Sequence, residues 1–326
     1  MRQDDKYALI IGSSNMDLNI YLERLPQKGE TVTGGKFKQY LGGKGANQAV
    51  ACQRSGTKTI FMGKIGKDIF GDQMLSQLSK ENIDISNLFR DPNESSGIAL
   101  ILVDKNGENM ISVAPGANAN LTIEDLKEKK EIIKKASVLI VQMEIPMDTI
   151  SEIFQIANKG RVLKILNPAP LKNIPFNILK NIDIIVPNEG ELYRLNLMLK
   201  LEDISGNQMK KIKYTSKNIS RLGVKIIITT LGSEGAAIYN AEEDSIIHLP
   251  AFKVKAVDTV GAGDCFNGVL ASKLSQGNTL INSAKYAISA ASIAVTRTGA
   301  QESMPYQHEI ENRYKEYNKL YKEEEF

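Results

Sequence analysis

Six short apolar runs constrain most strongly what this 326-residue chain can fold into. They are Ala8–Ile11, Thr59–Met62, Val138–Val141, Val162–Leu166, Ile182–Val186 and Lys225–Thr229. Each is nearly continuous in apolar residues rather than alternating, the pattern of a strand covered on both faces in a parallel sheet. Between them lie stretches with helical spacing: Gly45–Ser55, Gly71–Glu81, Ile123–Lys135, Met147–Asn158 and Asp203–Leu222. This alternation predicts an α/β fold with a mostly parallel sheet flanked by helices. With 42% hydrophobic and 24% charged residues the chain has ordinary globular composition, which excludes collagenous and wholly disordered classes.

Two segments break the rhythm. Glu30–Tyr40 and Gly97–Val113 read as antiparallel β structure, the second with Asn106-Gly107 as its turn. Their strands are expected to pair with each other in a small β lid made from about 15–41 and 95–115; an antiparallel extension at the main sheet's edge is the alternative. In Tyr306–Phe326, the spacing of Ile310, Tyr314, Tyr317 and Tyr321 predicts a surface helix ending in an acidic tail.

Several function classes fall away. Lys plus Arg at 41 against Asp plus Glu at 38 leaves +3, too balanced to imply a nucleic-acid partner. Cys52 and Cys265 are the only cysteines and no C-x-x-C occurs, which excludes a disulfide scaffold and a cysteine-rich zinc site. No run approaches the roughly 18 apolar residues of a membrane span, and the start lacks a signal-peptide core. The expectation is a cytoplasmic protein with no membrane partner. His248 and His308 have no metal-ligand spacing and read as surface or structural. Ser233 lacks the surroundings of a hydrolase nucleophile.

Two glycine clusters run into helices. In Asp258-Thr259-Val260-Gly261-Ala262-Gly263-Asp264 the glycines let backbone approach a ligand, and the helix start supplies N–H groups and a positive dipole end for an anion. Asp264 there is either a helix cap or a base able to take a proton from a hydroxyl attacking phosphate. The second cluster, Gly42-Gly43-Lys44-Gly45-Ala46-Asn47, is not a phosphate-binding Walker loop, because Gly45 follows the lysine. Gly12-Ser13-Ser14-Asn15 likewise lacks the dinucleotide fingerprint.

Polar residues follow several of the strands: Asn15 and Asp17, Glu144, Asn188 with Glu191, and Thr230–Ser233. In an open parallel sheet these positions converge on one edge. Asn15 and Asp17 suit a polyhydroxylated ligand, or alternatively a turn held by Asx hydrogen bonds.

On these motifs, with Asn167-Pro168-Ala169-Pro170 and Val295-Thr296-Arg297-Thr298-Gly299-Ala300, the sequence resembles the ribokinase family of sugar kinases from about Tyr7 to Pro305. The resemblance implies a doubly wound sheet in one domain over 1–326, and ATP-dependent phosphorylation of the 5-hydroxyl of D-ribose, with Mg²⁺ and K⁺ as cofactors and a homodimer through the lid. It implies Asp264 as general base beside an anion hole at Gly261, Ala262 and Gly263. Asn15, Asp17, Gly43, Lys44, Gly45, Ala46, Asn47, Glu144 and Asp264 would hold the sugar. Asn188, Thr230, Leu231, Gly232, Ser233, Glu234, Gly235, Gly263 and Ile288 would line the nucleotide site, with Glu191 linked to magnesium. Asp258, Val260, Ala294, Arg297, Gly299 and Ser303 match a potassium site. Gly261 stands where some members carry alanine, and Ile288 where some carry a polar residue. The rival readings are a family kinase for deoxyribose, fructose or a nucleoside, and a non-catalytic sugar-sensing module.

Overall fold

The computed structural model describes residues 6–201, 205–321 and, as backbone, 324–325. The chain enters the main sheet at β1 (Ala8–Ile11), crosses to a second sheet as β2 (Asn15–Tyr21) and β3 (Lys36–Gly42), and returns through α1 (Lys44–Arg54). It continues as β4 (Thr59–Gly66), α2 (Ile69–Lys80) and β5 (Asp84–Asp91), then completes the second sheet with β6 (Gly97–Val103) and β7 (Asn109–Ala114). Next come α3 (Lys130–Lys135), β8 (Val138–Gln142), α4 (Met147–Ala157), β9 (Leu163–Asn167), α5 (Phe176–Leu179) and β10 (Ile184–Ile185). The helices α6 (Glu189–Met198) and α7 (Gln208–Ser220) precede β11 (Ile226–Thr230), β12 (Ala236–Asn240) and β13 (Ser245–Leu249). Last are α8 (Ala262–Ser275), α9 (Leu280–Ala294), α10 (Gln307–Leu320) and the edge strand β14 (Glu324–Glu325).

The main sheet has the order β14-β13-β12-β11-β10-β9-β8-β1-β4-β5. It is parallel from β11 to β5, and β12, β13 and β14 add an antiparallel edge. Between β1 and β8 the winding reverses: from β1 the chain builds outward through β4 and β5, then restarts at β8 and builds the other way. At such a reversal the strand ends leave a crevice that no crossover covers, where ligands of doubly wound sheets bind.

Alternation inside β1 explains the two cores. Leu9 and Ile11 face one side, packing with Phe154 of α4 and Leu192 of α6. Ala8 and Ile10 face the other, with Val50 of α1, Val269 of α8 and Ala287 of α9. All four β1 residues are fully buried, as near-continuous apolar runs require. Cys52 and Cys265 are buried free thiols, and burial pushes the Cys52 thiol up to about 12.

The second sheet, in order β3-β2-β6-β7, is separate from the first, so an edge extension is excluded. Its β6–β7 hairpin forms as expected, with the Gly107 N–H donating to the Asp104 carbonyl at 3.0 Å. Two details differ from expectation. Strand structure begins at Lys36 rather than Glu30, after Gly34-Gly35, and β3 pairs with β2. In addition β6 pairs in parallel with β2, so the two lid segments form one sheet.

The helix expected at Ile123–Lys135 is a 3₁₀ segment, Glu124–Lys129, followed by the short α3; each buries one apolar anchor, Leu126 and Ile133. The start of the Asp203–Leu222 helix at 203–204, and residues 1–5, 322, 323 and 326 of the two ends, lie outside the described residues. Among the described residues no helix is long and apolar enough to cross a membrane.

Candidate active site

The crevice at the winding reversal is built first by the α1 loop. Gly43 caps α1 with φ 86°, a conformation open to glycine and costly for other residues. A methyl on Gly45 would lie 2.7 Å from the backbone of residues 12 and 13. The loop is pinned by the Ala46 N–H donating to the Ser13 carbonyl at 2.9 Å and the Lys44 N–H donating to Glu144 Oε2 at 3.1 Å. Ser13 Oγ donates to the same Glu144 oxygen. Three chain segments expected to converge, around Asn15, Lys44 and Glu144, therefore do.

Asp264 stands opposite, in the first turn of α8. The helix cap is Gly261, with φ 73° and no side-chain bond, so the capping role weighed for Asp264 is not the one it plays. Its carboxylate turns instead toward α1. Oδ2 accepts from Asn47 Nδ2 at 2.9 Å, and Oδ1 accepts from Gln48 Nε2 at 3.0 Å. Asn47 Oδ1 is buried without a partner among the described residues.

Charge crowds this crevice. Burial, then the negative charges of Glu144, Asp264 and Glu302, push Asp17 up to about 7, with Lys44 opposing. Lys44 is raised, chiefly by Asp264 and further by Glu144, Glu191 and Asp17, against the cost of burial. Asn15 is 4% exposed, and Asn118 Nδ2 donates to its Oδ1 at 2.8 Å.

Beyond Asp264 a cavity of about 460 Å³ runs along the start of α8. Thr230, Gly232, Ser233, Gly235, Ala262, Gly263 and Ile288 line it. Leu231 and Glu234 do not: the Leu231 side chain is buried, Glu234 is exposed, and they contribute the turn itself. The Leu231 N–H closes that turn on the Gly235 carbonyl at 2.8 Å. Asn188 also lies outside the lining. It caps α6 in a reciprocal box in which Glu191 Oε2 accepts the Asn188 N–H at 2.9 Å and Asn188 Oδ1 accepts the Glu191 N–H at 2.8 Å. Burial raises the Glu191 carboxyl.

Of the donors expected at the α8 start, the Ala262 N–H is already given to the Thr259 carbonyl at 3.2 Å. The Gly263 N–H forms no hydrogen bond among the described residues, and no atom lies within 4 Å of where its Cβ would be. Asp258 fastens the loop below: Oδ1 accepts the Val260 N–H and Oδ2 the Gly299 N–H, both at 3.0 Å. That contact brings Asp258 and Val260 against Gly299, while Ala294 and Ser303 are buried nearby in sequence and Arg297 pairs with Glu309 of α10. His248 bonds the Glu234 carbonyl at 2.8 Å and His308 is exposed, so neither belongs to the site.

Sequence reasoning missed Ser13, Gln48, Asn118, Gln142 and Asn167, together with the cavity wall from 251 to 256 and Ala291, Ser292 and Val295. For the last three a signal existed: with Ile288 they follow one helical face of α9. Asn167 lay within a motif and Gln48 directly after one, but nothing in a single sequence joins them.

A sequence model of the family described as pfkB family carbohydrate kinase matches residues 5–307. The chain is 36% identical to a ribokinase of Schizosaccharomyces pombe, over 94% of this chain and 97% of the relative. A deoxyribokinase of Salmonella typhimurium is 35% identical, over 91% of this chain and 94% of that protein. The solved structure of an Arabidopsis thaliana ribokinase complexed with ribose and ATP superimposes with a TM-score of 0.88 at 30% identity, covering 95% of this chain and 99% of that one.

Proposed function

The chain belongs to the pfkB family of carbohydrate kinases, and on that premise we propose that it transfers the γ-phosphate of ATP to the 5-hydroxyl of D-ribose, giving D-ribose 5-phosphate and ADP. The observation that carries this reading is the place of Asp264: its carboxylate accepts from Asn47 and Gln48 on the α1 side, and the two residues before it, Ala262 and Gly263, line the cavity.

The sugar lies in the crevice, where the Asn15 amide, Asp17, Lys44, Asn47 Oδ1 and Glu144 meet its hydroxyls, and the backbone of Gly43, Gly45 and Ala46 shapes the floor. Asp264 accepts the proton of the attacking hydroxyl as that oxygen bonds to phosphorus and the bond to the ADP oxygen breaks. The helix start, turned by Gly261, aims the Gly263 N–H and a positive dipole end at the transferred group. The cavity holds the nucleotide against Thr230, Gly232, Ser233, Gly235 and Ile288, with Leu231 and Glu234 shaping the turn and Asn188 capping α6 beside Thr230.

Mg²⁺ bound with ATP would neutralise phosphate charge; Glu191, whose Oε1 is outside the α6 cap, suits its shell of waters. Asp258, Val260, Ala294, Arg297, Gly299 and Ser303 offer one carboxylate amid backbone, a donor set that fits K⁺ steadying the loop under Gly263. The second sheet exposes Phe37, Leu100, Met110 and Ile111 (61%, 55%, 53% and 58%), and we read it as a lid that also joins two copies, which sedimentation velocity checks. An enzyme drawing on ATP fits the cytoplasm.

One observation favours a second sugar, 2-deoxy-D-ribose: the Salmonella deoxyribokinase is about as similar as the ribokinases. An ADP-release assay over ribose, deoxyribose, fructose and nucleosides, with K⁺ or Na⁺, separates these readings. Ribose is expected to give the highest kcat/KM and K⁺ the higher rate. Ribose binding by calorimetry with no ADP formed would leave only a sugar sensor.

A further inference from the structure

Asp264 has a support that the family resemblance did not supply. Gln48 of α1 is fully buried and its amide orientation is dictated from two sides. Its Oε1 accepts from Gln142 Nε2, at the end of β8, at 2.6 Å. Its Nε2 points the other way, fixed by two oxygens that can only accept there, Asp264 Oδ1 at 3.0 Å and Asn167 Oδ1 at 3.1 Å. The Asn167 amide is oriented in turn, because its Nδ2 donates to the Val186 carbonyl at 2.9 Å. A main-chain oxygen beyond β10 thus sets the direction of a chain of amides that ends on the carboxylate.

We propose that Gln48 is the positioning residue of the reaction: with Asn47 it holds one carboxylate oxygen each, so that Asp264 keeps a single orientation toward the attacking hydroxyl. This also gives the Asn167-Pro168-Ala169-Pro170 segment a task, since Asn167 fixes which end of the Gln48 amide faces the acid. The geometry excludes a simple space-filling role. A space-filler needs no fixed polarity, whereas the Gln48 amide donates to two acceptor oxygens at one end and accepts at the other, with Gln142 Oε1 left without a partner among the described residues. Rotating the Asp264 carboxylate breaks at least one of its two charge-assisted bonds, which gives the pair authority over its angle. Small errors in such angles cost rate rather than affinity.

The inference rests on Asp264 as the base, so Gln48→Met, Gln48→Glu and Asp264→Asn are measured side by side. Gln48→Met keeps the shape and removes the donor. Its kcat is expected to fall about 10- to 100-fold, with ribose and ATP dissociation constants from calorimetry within about threefold of wild type. Gln48→Glu keeps shape and polarity while setting a second carboxyl against Asp264, so the acidic limb of its kcat–pH profile is expected to move upward. Wild-type kcat in folded Gln48→Met overturns the proposal. So does a Gln48→Glu profile that superimposes on wild type, which decides the matter if Gln48→Met does not fold. Should Asp264→Asn itself keep full kcat, the base assignment has failed; if Asp264→Asn is crippled and the Gln48 variants are not, only the positioning role has.

Discussion

A methyl added at Gly45 would sit 2.7 Å from the backbone of residues 12 and 13, whereas one added at Gly263 would meet nothing within 4 Å. Both glycines lie in clusters that open helices, and in sequence the clusters look alike. The α1 loop is fastened to Ser13 and Glu144, and its Gly43 and Gly45 let backbone press on the backbone of residues 12–15. The α8 loop hangs from Asp258, keeps one N–H without a partner among the described residues, and leaves open the space where a Gly263 Cβ would stand. The first loop holds side chains at fixed points; the second keeps its surface clear for a ligand. Asp264 belongs to the second loop's helix but is gripped by the first, through Asn47 and Gln48.

The largest expected effect comes from exchanging these roles. Gly45→Ala must displace the residue 12–13 backbone, a cost of about 3 kcal/mol or more, seen as a fall in thermal midpoint and loss of soluble protein. Gly263→Ala is expected to leave the midpoint within about 2 °C, since alanine favours helices. Its methyl would stand in the cavity and lower kcat/KM for ATP about 10- to 100-fold. Equal thermal losses in the two variants would break the comparison.

A smaller effect reads the crowding of acids beside the fastened loop. Asp17 is raised to about 7, first by burial and then by Glu144, Asp264 and Glu302. A carboxyl raised on folding contributes stability that is fully present below its unfolded value, near 4, and is lost as pH rises through about 7. The ligand-free protein should therefore lose a few degrees of thermal midpoint between pH 5 and 8 that Asp17→Asn does not lose. Parallel curves for the two proteins would remove Asp17 from that cluster.

The parallel strands were legible because burial on both faces forces unbroken apolar runs; Ala8–Ile11 coincides with β1. Strand β5, DISNLFRD, was not legible, since an edge strand keeps polar residues. Helix α9 escaped notice because alanine and serine at close-packed positions give little hydrophobic contrast. Within the site, Asn15, Asp17, Lys44, Glu144 and Asp264 were legible as polar groups after strands or glycines. The Gln48 contacts join residues 119 and 216 positions apart, a closeness that only the sheet order creates. The expected Ala262 donor failed for a local reason: the turn before α8 uses that N–H for itself.

The most direct test of the account is the kcat of Asp264→Asn on D-ribose, measured with ribose and ATP affinities by calorimetry. Asparagine keeps the volume but turns an amide toward Asn47 or Gln48, so some stability is lost while the site remains. With the acceptor for the hydroxyl proton gone, kcat should fall about 10²- to 10⁴-fold, about 3–5 kcal/mol, and both ligands should bind within about fivefold of wild type. A folded Asp264→Asn protein that turns over at the wild-type rate would contradict it.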